Sequence, residues 1–292
     1  MILPIAKNRI GGVIIIQAVL ASKSLGYEYT EDILTSTAFG ALRYINPDKA
    51  LVPFLESAFI YNADRTTLWQ RLNNDGINLR SYRSINYVFW PFNVNHGEPD
   101  LILIFSDHIH DQEDLLILVE AKFKSHKSGI NENDQLARYF DAIKDDLEHF
   151  SNEQVAGFNG KRGYIVYLTE NQAHTEIADS CKVINSRHNG LSEVFQLQWY
   201  QLYQTLESMS PYCSGSERIV ANDLMKYLEK LGLRNFSGVP LPKDALAVLF
   251  AQAGPAFYQL DAMKFDGTYF DLPVDVDFNR QNLIFYRGNN DE

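Results

Sequence analysis

The sequence predicts an α/β fold in which a mixed β-sheet is flanked by helices. Residues 97–124 have the pattern of a hairpin of two apolar strands, and residues 131–150 have the periodicity of an amphipathic helix. Residues 163–169 form a further short apolar run that is typical of a buried strand. A hairpin that is followed by a crossover helix and another strand predicts antiparallel and parallel pairs within one sheet.

The chain before the hairpin is predicted to be mostly helical. Residues 28–45 carry apolar side chains at helical spacing, with Thr30 as a candidate N-cap, and residues 47–80 also have helical patterns. Residues 85–92 have the aromatic and β-branched content of a strand. The apolar run within residues 9–24 is too short and too interrupted to span a membrane, so we expect a buried helix or strand there.

The chain after the hairpin is predicted to contain one strongly amphipathic helix and a separate C-terminal region. The apolar face of the helix at 131–150 comprises Leu136, Tyr139, Phe140, Ile143, Leu147 and Phe150. Residues 194–202 are apolar and fit either a strand or the start of a helix. We expect one domain over 1–205 and a helical and mixed accessory region over 206–292, whose helix at 216–231 either packs on the core or forms a dimer interface.

Composition places limits on the function. The 292 residues, 46% of them hydrophobic, are enough to bury a large core. The two cysteines lie outside any metal-binding motif, which favours a reducing, cytoplasmic location and argues against a structural zinc site. The net charge of −11 means that nucleic-acid binding would need local basic patches or a bound metal.

Two acids and a lysine converge at one end of the predicted hairpin. If the turn is centred near position 110, Asp100 and Glu120 face each other on the two strands, and Lys122 shares their face. Adjacent carboxylates repel each other unless a cation lies between them, and Mg²⁺ is a hard cation that needs few protein ligands. A neighbouring lysine can orient water or stabilise charge on a phosphate, so these residues predict metal-assisted phosphodiester hydrolysis. The alternative is a solvated ion pair of little consequence.

These residues resemble the motif of the PD-(D/E)XK nuclease superfamily, which includes restriction endonucleases and RecB-like nucleases. Pro99-Asp100 followed by Glu120-Ala121-Lys122 matches the signature, and Gln135 with Tyr139 matches the Gln-x-x-x-Tyr element of RecB-like members. The stretch that begins at Glu31 is similar to the opening of bacterial members from defence loci. The resemblance covers positions 31 to 139 and does not extend beyond about 205.

The resemblance implies a restriction-endonuclease-like αβββαβ core and a set of site residues. One or two Mg²⁺ ions, with Mn²⁺ as a substitute, would be held by Asp100, Glu120, the carbonyl of Ala121 and an acid of the first core helix. Glu31 is the first choice for that acid and Asp32 the alternative, because the two point about 100° apart on a helix. Lys122 would position or activate the water.

The resemblance also implies residues that orient the site or contact the substrate. Gln135 and Tyr139 would act there, although Tyr139 also lies on the apolar face of its helix and could be a core residue. Independently of the resemblance, Lys122, Lys124, His126 and Lys127 form a basic cluster next to the acids that would suit a phosphate backbone, and Arg138 lies on the following helix. The alternative for each of these cations is a solvated loop position.

The function predicted from the sequence is Mg²⁺-dependent hydrolysis of DNA in restriction or anti-phage defence. DNA is the expected partner, together with a second copy of the chain or a partner protein of a defence system, and no membrane. A nuclease fold that only binds or acts as a scaffold is one alternative, and an RNA-directed nuclease is another.

Overall fold

A computed structural model describes most of the central part of the chain. The described residues are 30–61, 64–107, 112–129, 131–160, 162–188 and 193–234. The predictions for the apolar run within 9–24 and for the segments beyond Pro240 lie outside these residues. Within the described part, no helix is both long and apolar enough to cross a membrane.

Five strands form one mixed, open sheet in the order β1-β2-β3-β4-β5. The strands are β1 Ser84–Phe89, β2 Leu101–Asp107, β3 Gln112–Ala121, β4 Arg162–Thr169 and β5 Val194–Gln198. The first three are antiparallel neighbours, whereas β4 is parallel to β3 and β5 is parallel to β4. The predicted α/β class and mixed sheet are therefore confirmed.

Eight helices accompany the sheet in the described residues, apart from short 3₁₀ turns. They are α1 Glu31–Leu42, α2 Leu51–Glu56, α3 Leu68–Asn74, α4 Gln135–Asp145, α5 Glu153–Ala156, α6 His174–His188, α7 Trp199–Met209 and α8 Gly215–Lys230. The predicted helix over 47–80 is interrupted, because Phe59 makes β-bridges to Thr67 and Gln196. For residues 194–202 the sequence allowed either a strand or the start of a helix, and the structure contains both. Strand β5 ends at Gln198, and α7 begins at the next residue.

The sheet separates two apolar cores, one on each face. Leu101, Leu103 and Phe105 point into a core shared with α1, α7 and α8, while Ile102 and Ile104 point into a core shared with α4 and α6. This alternation follows from the period of two along a strand. Strand β2 is covered on both sides, which explains why it is buried along its whole length.

Helix α4 contacts the sheet closely at Gly163, the second residue of β4. A Cβ atom at Gly163 would lie 2.3 Å from Cγ2 of Ile143 on α4, so no larger residue fits there without a shift. The close contact fixes the Ile143 end of α4 against β4.

The C-terminal helix of the described region packs on the core. Leu224, Tyr227 and Leu228 of α8 are fully buried in the core that also contains α1, whereas Ile219 is 64% exposed. Of the two predicted roles for the apolar residues at 216–231, the structure therefore shows packing on the core for most of them.

Candidate active site

The hairpin register brings Asp100 and Glu120 together. Leu101 of β2 pairs with Val119 of β3. Asp100 and Glu120 are the next residues away from the hairpin tip, so they lie opposite each other, as expected for a turn centred near position 110. The register shifts only near the hairpin tip, between Phe105 and Asp107. The even-numbered positions of both strands face α4 and α6.

The two acids and Lys122 form a nearly dry cluster. Asp100, Glu120 and Lys122 are only 7%, 1% and 8% exposed. Asp100 Oδ2 accepts a hydrogen bond from the Ala121 N–H at 2.8 Å, and Glu120 Oε1 accepts from Lys122 Nζ at 2.7 Å. The second oxygen of Glu120, Oε2, is buried and has no hydrogen-bond partner in the described residues. A buried carboxylate oxygen without a donor is costly when the group is ionised, so this oxygen favours either a proton or a bound cation.

Electrostatics within the cluster favour protonated acids when no cation is present. Burial raises the pKa of Asp100 to about 6, although the Ala121 N–H and Lys122 act in the opposite direction. Burial and the charge of Asp100 together raise the pKa of Glu120 to about 8. Burial tends to lower the pKa of Lys122, but Glu120 and Glu31 outweigh it and raise that pKa, so the ammonium stays charged.

Glu31, at the start of α1, reaches the cluster from another element. Its Oε1 accepts a hydrogen bond from Lys122 Nζ at 3.0 Å, and its Oε2 accepts from the N–H of Phe123 at 3.0 Å and from the hydroxyl of Ser125. Asp32, the alternative helix acid, is exposed. Both Glu31 oxygens are therefore occupied by donors of the chain itself.

Helix α4 contributes Gln135 and Tyr139, which are one turn apart. Gln135 Nε2 donates to Glu120 Oε1 at 2.7 Å and to the Tyr139 hydroxyl at 3.1 Å. The Tyr139 hydroxyl donates to the carbonyl of Glu98 at 2.9 Å. Burial raises the pKa of Tyr139, so this hydroxyl remains a neutral donor. The pair connects the Glu120 carboxylate to the chain just before Asp100.

The predicted basic cluster does not form one exposed surface. Lys127 has a side chain that is only 6% exposed, and it binds the Asp134 carboxylate and, at 2.6 Å, the hydroxyl of Ser180. His126 lies 2.9 Å from Glu176, and Arg138 donates to the carbonyl of His96 at 3.2 Å. Lys124 is exposed, with its Nζ 5.1 Å from the centre of the Phe123 ring. Lys124 is thus the lysine of this cluster that is best placed to meet a ligand.

Other residues near the site were not identified from the sequence. Asp134 N-caps α4 by accepting from the Ala137 N–H at 3.0 Å, and the N-cap preference for aspartate could have revealed it. Tyr167 lies next to Glu120 in the parallel β3–β4 pair and donates to the Glu176 carboxylate. No sequence signal gives the register of two strands that are joined by a crossover, so Tyr167 could not have been found in this way.

The carboxylate oxygens at the site are suitable ligands for a hard cation that needs few protein ligands. No group of three or more His, Cys, Asp or Glu side chains in the described ranges is arranged to hold a metal ion. Asp100 and Glu120 remain as a pair, with the unpaired Glu120 Oε2 available. Mg²⁺ often takes one or two carboxylates and fills its remaining positions with water and phosphate oxygens. The ligand roles of Glu31 and of the Ala121 carbonyl stay predictions.

Comparison of the chain with protein-family models, with curated proteins and with solved structures found no match. The family resemblance therefore rests on the residues named above and on their geometry.

Proposed function

We propose that the chain is a divalent-cation-dependent nuclease of the PD-(D/E)XK type that hydrolyses DNA phosphodiester bonds. Its αβββαβ core would comprise α1, β1 to β3, α4 and β4. The observation that carries the proposal is the opposed pair Asp100 and Glu120, with Glu120 Oε2 buried and unpaired beside the ammonium of Lys122.

The carboxylate pair would hold the cation. Burial and mutual repulsion raise the pKa values of Asp100 and Glu120, and a cation between them would reverse both effects. Bound Mg²⁺, or Mn²⁺ in its place, would supply Lewis-acid activation and charge stabilisation at the phosphate.

The chain's own residues would orient the reactants. Lys122, held between Glu120 and Glu31, presents a fixed positive charge that can orient the attacking water and stabilise negative charge on the phosphate. Gln135 donates to the same Glu120 oxygen as Lys122 and so fixes the carboxylate rotamer. These groups are positioned before substrate binds, so little reorganisation is needed during the reaction.

A binding or scaffold protein without catalysis is a second candidate. The observation that favours it is the pair of acids around Lys122: Glu120 and Glu31 both accept from its ammonium, which is thus paired without any cation. The net charge of −11 also favours a protein that does not cut nucleic acid. A scaffold of this kind would bind no divalent cation at Asp100, whereas the nuclease requires one.

A cleavage assay tests the proposal. Plasmid, linear duplex, single-stranded DNA and matched RNA are incubated with the protein in Mg²⁺ or Mn²⁺, with EDTA as a control. We expect metal-dependent cutting of DNA that falls about 100-fold or more in Lys122→Ala and in Asp100→Asn. Lys226→Ala, which changes an exposed lysine of α8 outside the site and outside the predicted basic cluster, is the matched control, and circular dichroism checks the fold of each variant.

Two results would contradict the proposal. Cutting that persists in EDTA, or at an undiminished rate in folded Lys122→Ala, would exclude the mechanism. Cutting of RNA alone would assign the activity to the RNA-directed alternative. The role in restriction or anti-phage defence rests on the family resemblance and is part of the proposal.

A further inference from the structure

Polar side chains continue from the candidate active site across the sheet on one face. Glu120 on β3 is the register partner of Tyr167 on β4, and Tyr167 is the partner of Gln196 on β5. All three side chains are almost fully buried. Neighbouring strands are about 4.8 Å apart, so Gln196 lies roughly 10 Å from Glu120 along the sheet. A buried polar row of this kind is unusual between apolar strands and leads away from the acids toward the β5 edge.

The row ends at a segment that is fixed to the edge of β5. Phe59 and Gln196 exchange two backbone hydrogen bonds of 2.9 and 2.7 Å. The Gln196 side chain donates to the Thr169 hydroxyl at 2.9 Å and accepts from the Tyr61 hydroxyl. Tyr61 is therefore held in a defined position beside the carboxyl ends of β4 and β5.

Aromatic and cationic side chains gather around this point. We call Tyr61, Arg65, His174 and Tyr200 the edge cluster. The Tyr61 and His174 rings meet edge to face with centres 4.7 Å apart, and the Arg65 guanidinium lies 4.4 Å from the centre of the Phe59 ring. Tyr200 lies in the first turn of α7, which begins directly where β5 ends, and its side chain is half-buried.

Arg65 is available to an external anion. Its side chain is exposed, and no ion pair among the described residues involves it. This distinguishes it from Lys122 and Lys127, whose charges are neutralised by acids of the chain. A planar guanidinium suits a phosphate, which it can bind with two parallel hydrogen bonds.

We propose that the edge cluster binds an unpaired nucleic-acid strand that runs from the candidate active site toward the edge of β5. Arg65 contacts a backbone phosphate, and the rings of Tyr61, His174 and Tyr200 contact bases. Aromatic side chains beside a cation are the usual means of binding single strands, because every base has a face on which a ring can stack. In a duplex these faces are covered by neighbouring base pairs, so the substrate must offer unpaired bases.

The geometry sets the length of strand involved. The distance of roughly 10 Å between Glu120 and Gln196 is short, so a few nucleotides are enough to connect the candidate active site with the edge cluster. The inference rests on the proposed function, since it places the scissile phosphate at Asp100 and Glu120. It identifies the substrate class as single-stranded DNA or a duplex with a single-stranded overhang.

Binding measurements test the inference separately from catalysis. Fluorescence anisotropy gives the affinity of labelled single-stranded DNA, blunt duplex, overhang duplex and matched single-stranded RNA, with Ca²⁺ replacing Mg²⁺ to prevent cutting. We expect the single strand and the overhang to bind more tightly than the blunt duplex. Arg65→Gln should weaken single-strand binding about tenfold and reduce the salt slope by about 0.7, and Tyr200→Ala should weaken it about tenfold.

Arg83→Gln is the matched control. Arg83 is also exposed, but it precedes β1 at the end of the sheet near the hairpin tip, because its neighbour Ser84 pairs with Ser106. It should leave the affinity unchanged. Equal affinity for blunt duplex and single strand, or wild-type affinity in both edge-cluster variants, would overturn the inference, and so would binding of the RNA strand alone.

The same experiment distinguishes the two failures. If the wild type cuts DNA but the edge-cluster variants bind and cut normally, the proposed function stands and the inference is wrong. If Arg65→Gln and Tyr200→Ala lose single-strand affinity but the wild type cuts nothing in Mg²⁺, the edge cluster is a single-strand binding site, and the catalytic proposal is wrong together with the placement of the scissile phosphate.

Discussion

Glu120 is the residue on which the electrostatics of the site depend most. One of its oxygens accepts two hydrogen bonds, from Lys122 and Gln135, while the other is buried without a donor. Burial and Asp100 raise its pKa to about 8, so without a cation the folded chain holds a proton there at neutral pH. Cation binding must therefore release that proton, which couples cation affinity to pH.

The raised pKa of Glu120 predicts a specific pH dependence of stability. The folded-state pKa of about 8 exceeds the ordinary value of 4.5, so between these values the folded state binds more protons than the unfolded state. The free energy of unfolding should therefore fall as pH rises through this window when no cation is present. Urea unfolding at pH 5 to 8.5 in EDTA measures this, and Glu120→Gln should be less pH-dependent than the wild type. Equal slopes for the two proteins would show that Glu120 does not titrate in this range.

Glu31 offers a test of two roles. The resemblance makes it a metal ligand, whereas its contacts make it a partner of Lys122 and of the Phe123 N–H. We expect Glu31→Gln to reduce the cleavage rate about 10- to 100-fold through Lys122, while Mg²⁺ affinity changes little. Calorimetry and cleavage kinetics measure the two effects, with exposed Asp32→Asn as the control. A loss of Mg²⁺ affinity as large as the loss of rate would instead support direct ligation by Glu31.

At the scale of the elements, the parts of the site that could be predicted are those with local signals. Asp100 and Glu120 could be paired because the period of two and a short turn fix the register of a hairpin. Gln135 and Tyr139 could be placed on one face because α4 is strongly amphipathic. Helix α6 was not predicted, since few of its residues are buried and its sequence lacks a clear apolar stripe. The edge cluster depends on the parallel register and on long-range bridges, which leave no local signal.

The ion pair of Lys127 with Asp134 joins two elements of the site. Asp134 caps α4, which carries Gln135, and Lys127 lies in the segment that follows Lys122. Both side chains are buried, at 6% and 2% exposure.

Lys127→Met should therefore destabilise the fold through an uncompensated buried carboxylate. We expect a loss of about 3 to 5 kcal/mol in the free energy of unfolding, measured by urea denaturation. The control is Lys182→Met, which breaks the exposed pair with Asp179 and should change stability by less than about 0.5 kcal/mol. A similar, small effect in both variants would mean that the buried pair does not hold these elements together.

At the scale of the whole molecule, charge limits how the chain can bind DNA. The 37 acids exceed the 26 lysines and arginines, and near the site Lys122 and Lys127 are neutralised within the protein. Contact with phosphates then depends on the cation and on a few exposed groups, of which Arg65 and Lys124 are the best placed. The apolar layers on both faces of the sheet are fixed by ordinary patterning, so the charge distribution affects binding rather than the fold.

This charge distribution predicts weak salt dependence. With about two phosphate contacts, the slope of log affinity against log salt should be about −1.4 for a single strand and −1.8 for a duplex. Anisotropy titrations between 50 and 200 mM salt, a range of about fourfold, would measure it. A slope steeper than about −4 would require more than the two phosphate contacts assumed here and would contradict this account.

The central claim is that Asp100 and Glu120 share a divalent cation, and calorimetric titration of Mg²⁺ into the protein tests it most directly. Titrations near pH 7 use two buffers of different ionisation enthalpy, and they compare the wild type with Asp100→Asn and with the exposed control Asp179→Asn. We expect the wild type and the control to bind Mg²⁺ with a heat that differs between buffers, because Glu120 releases its proton, and Asp100→Asn to lose at least about tenfold in affinity. Absence of Mg²⁺ binding, or equal binding by Asp100→Asn, would contradict the account.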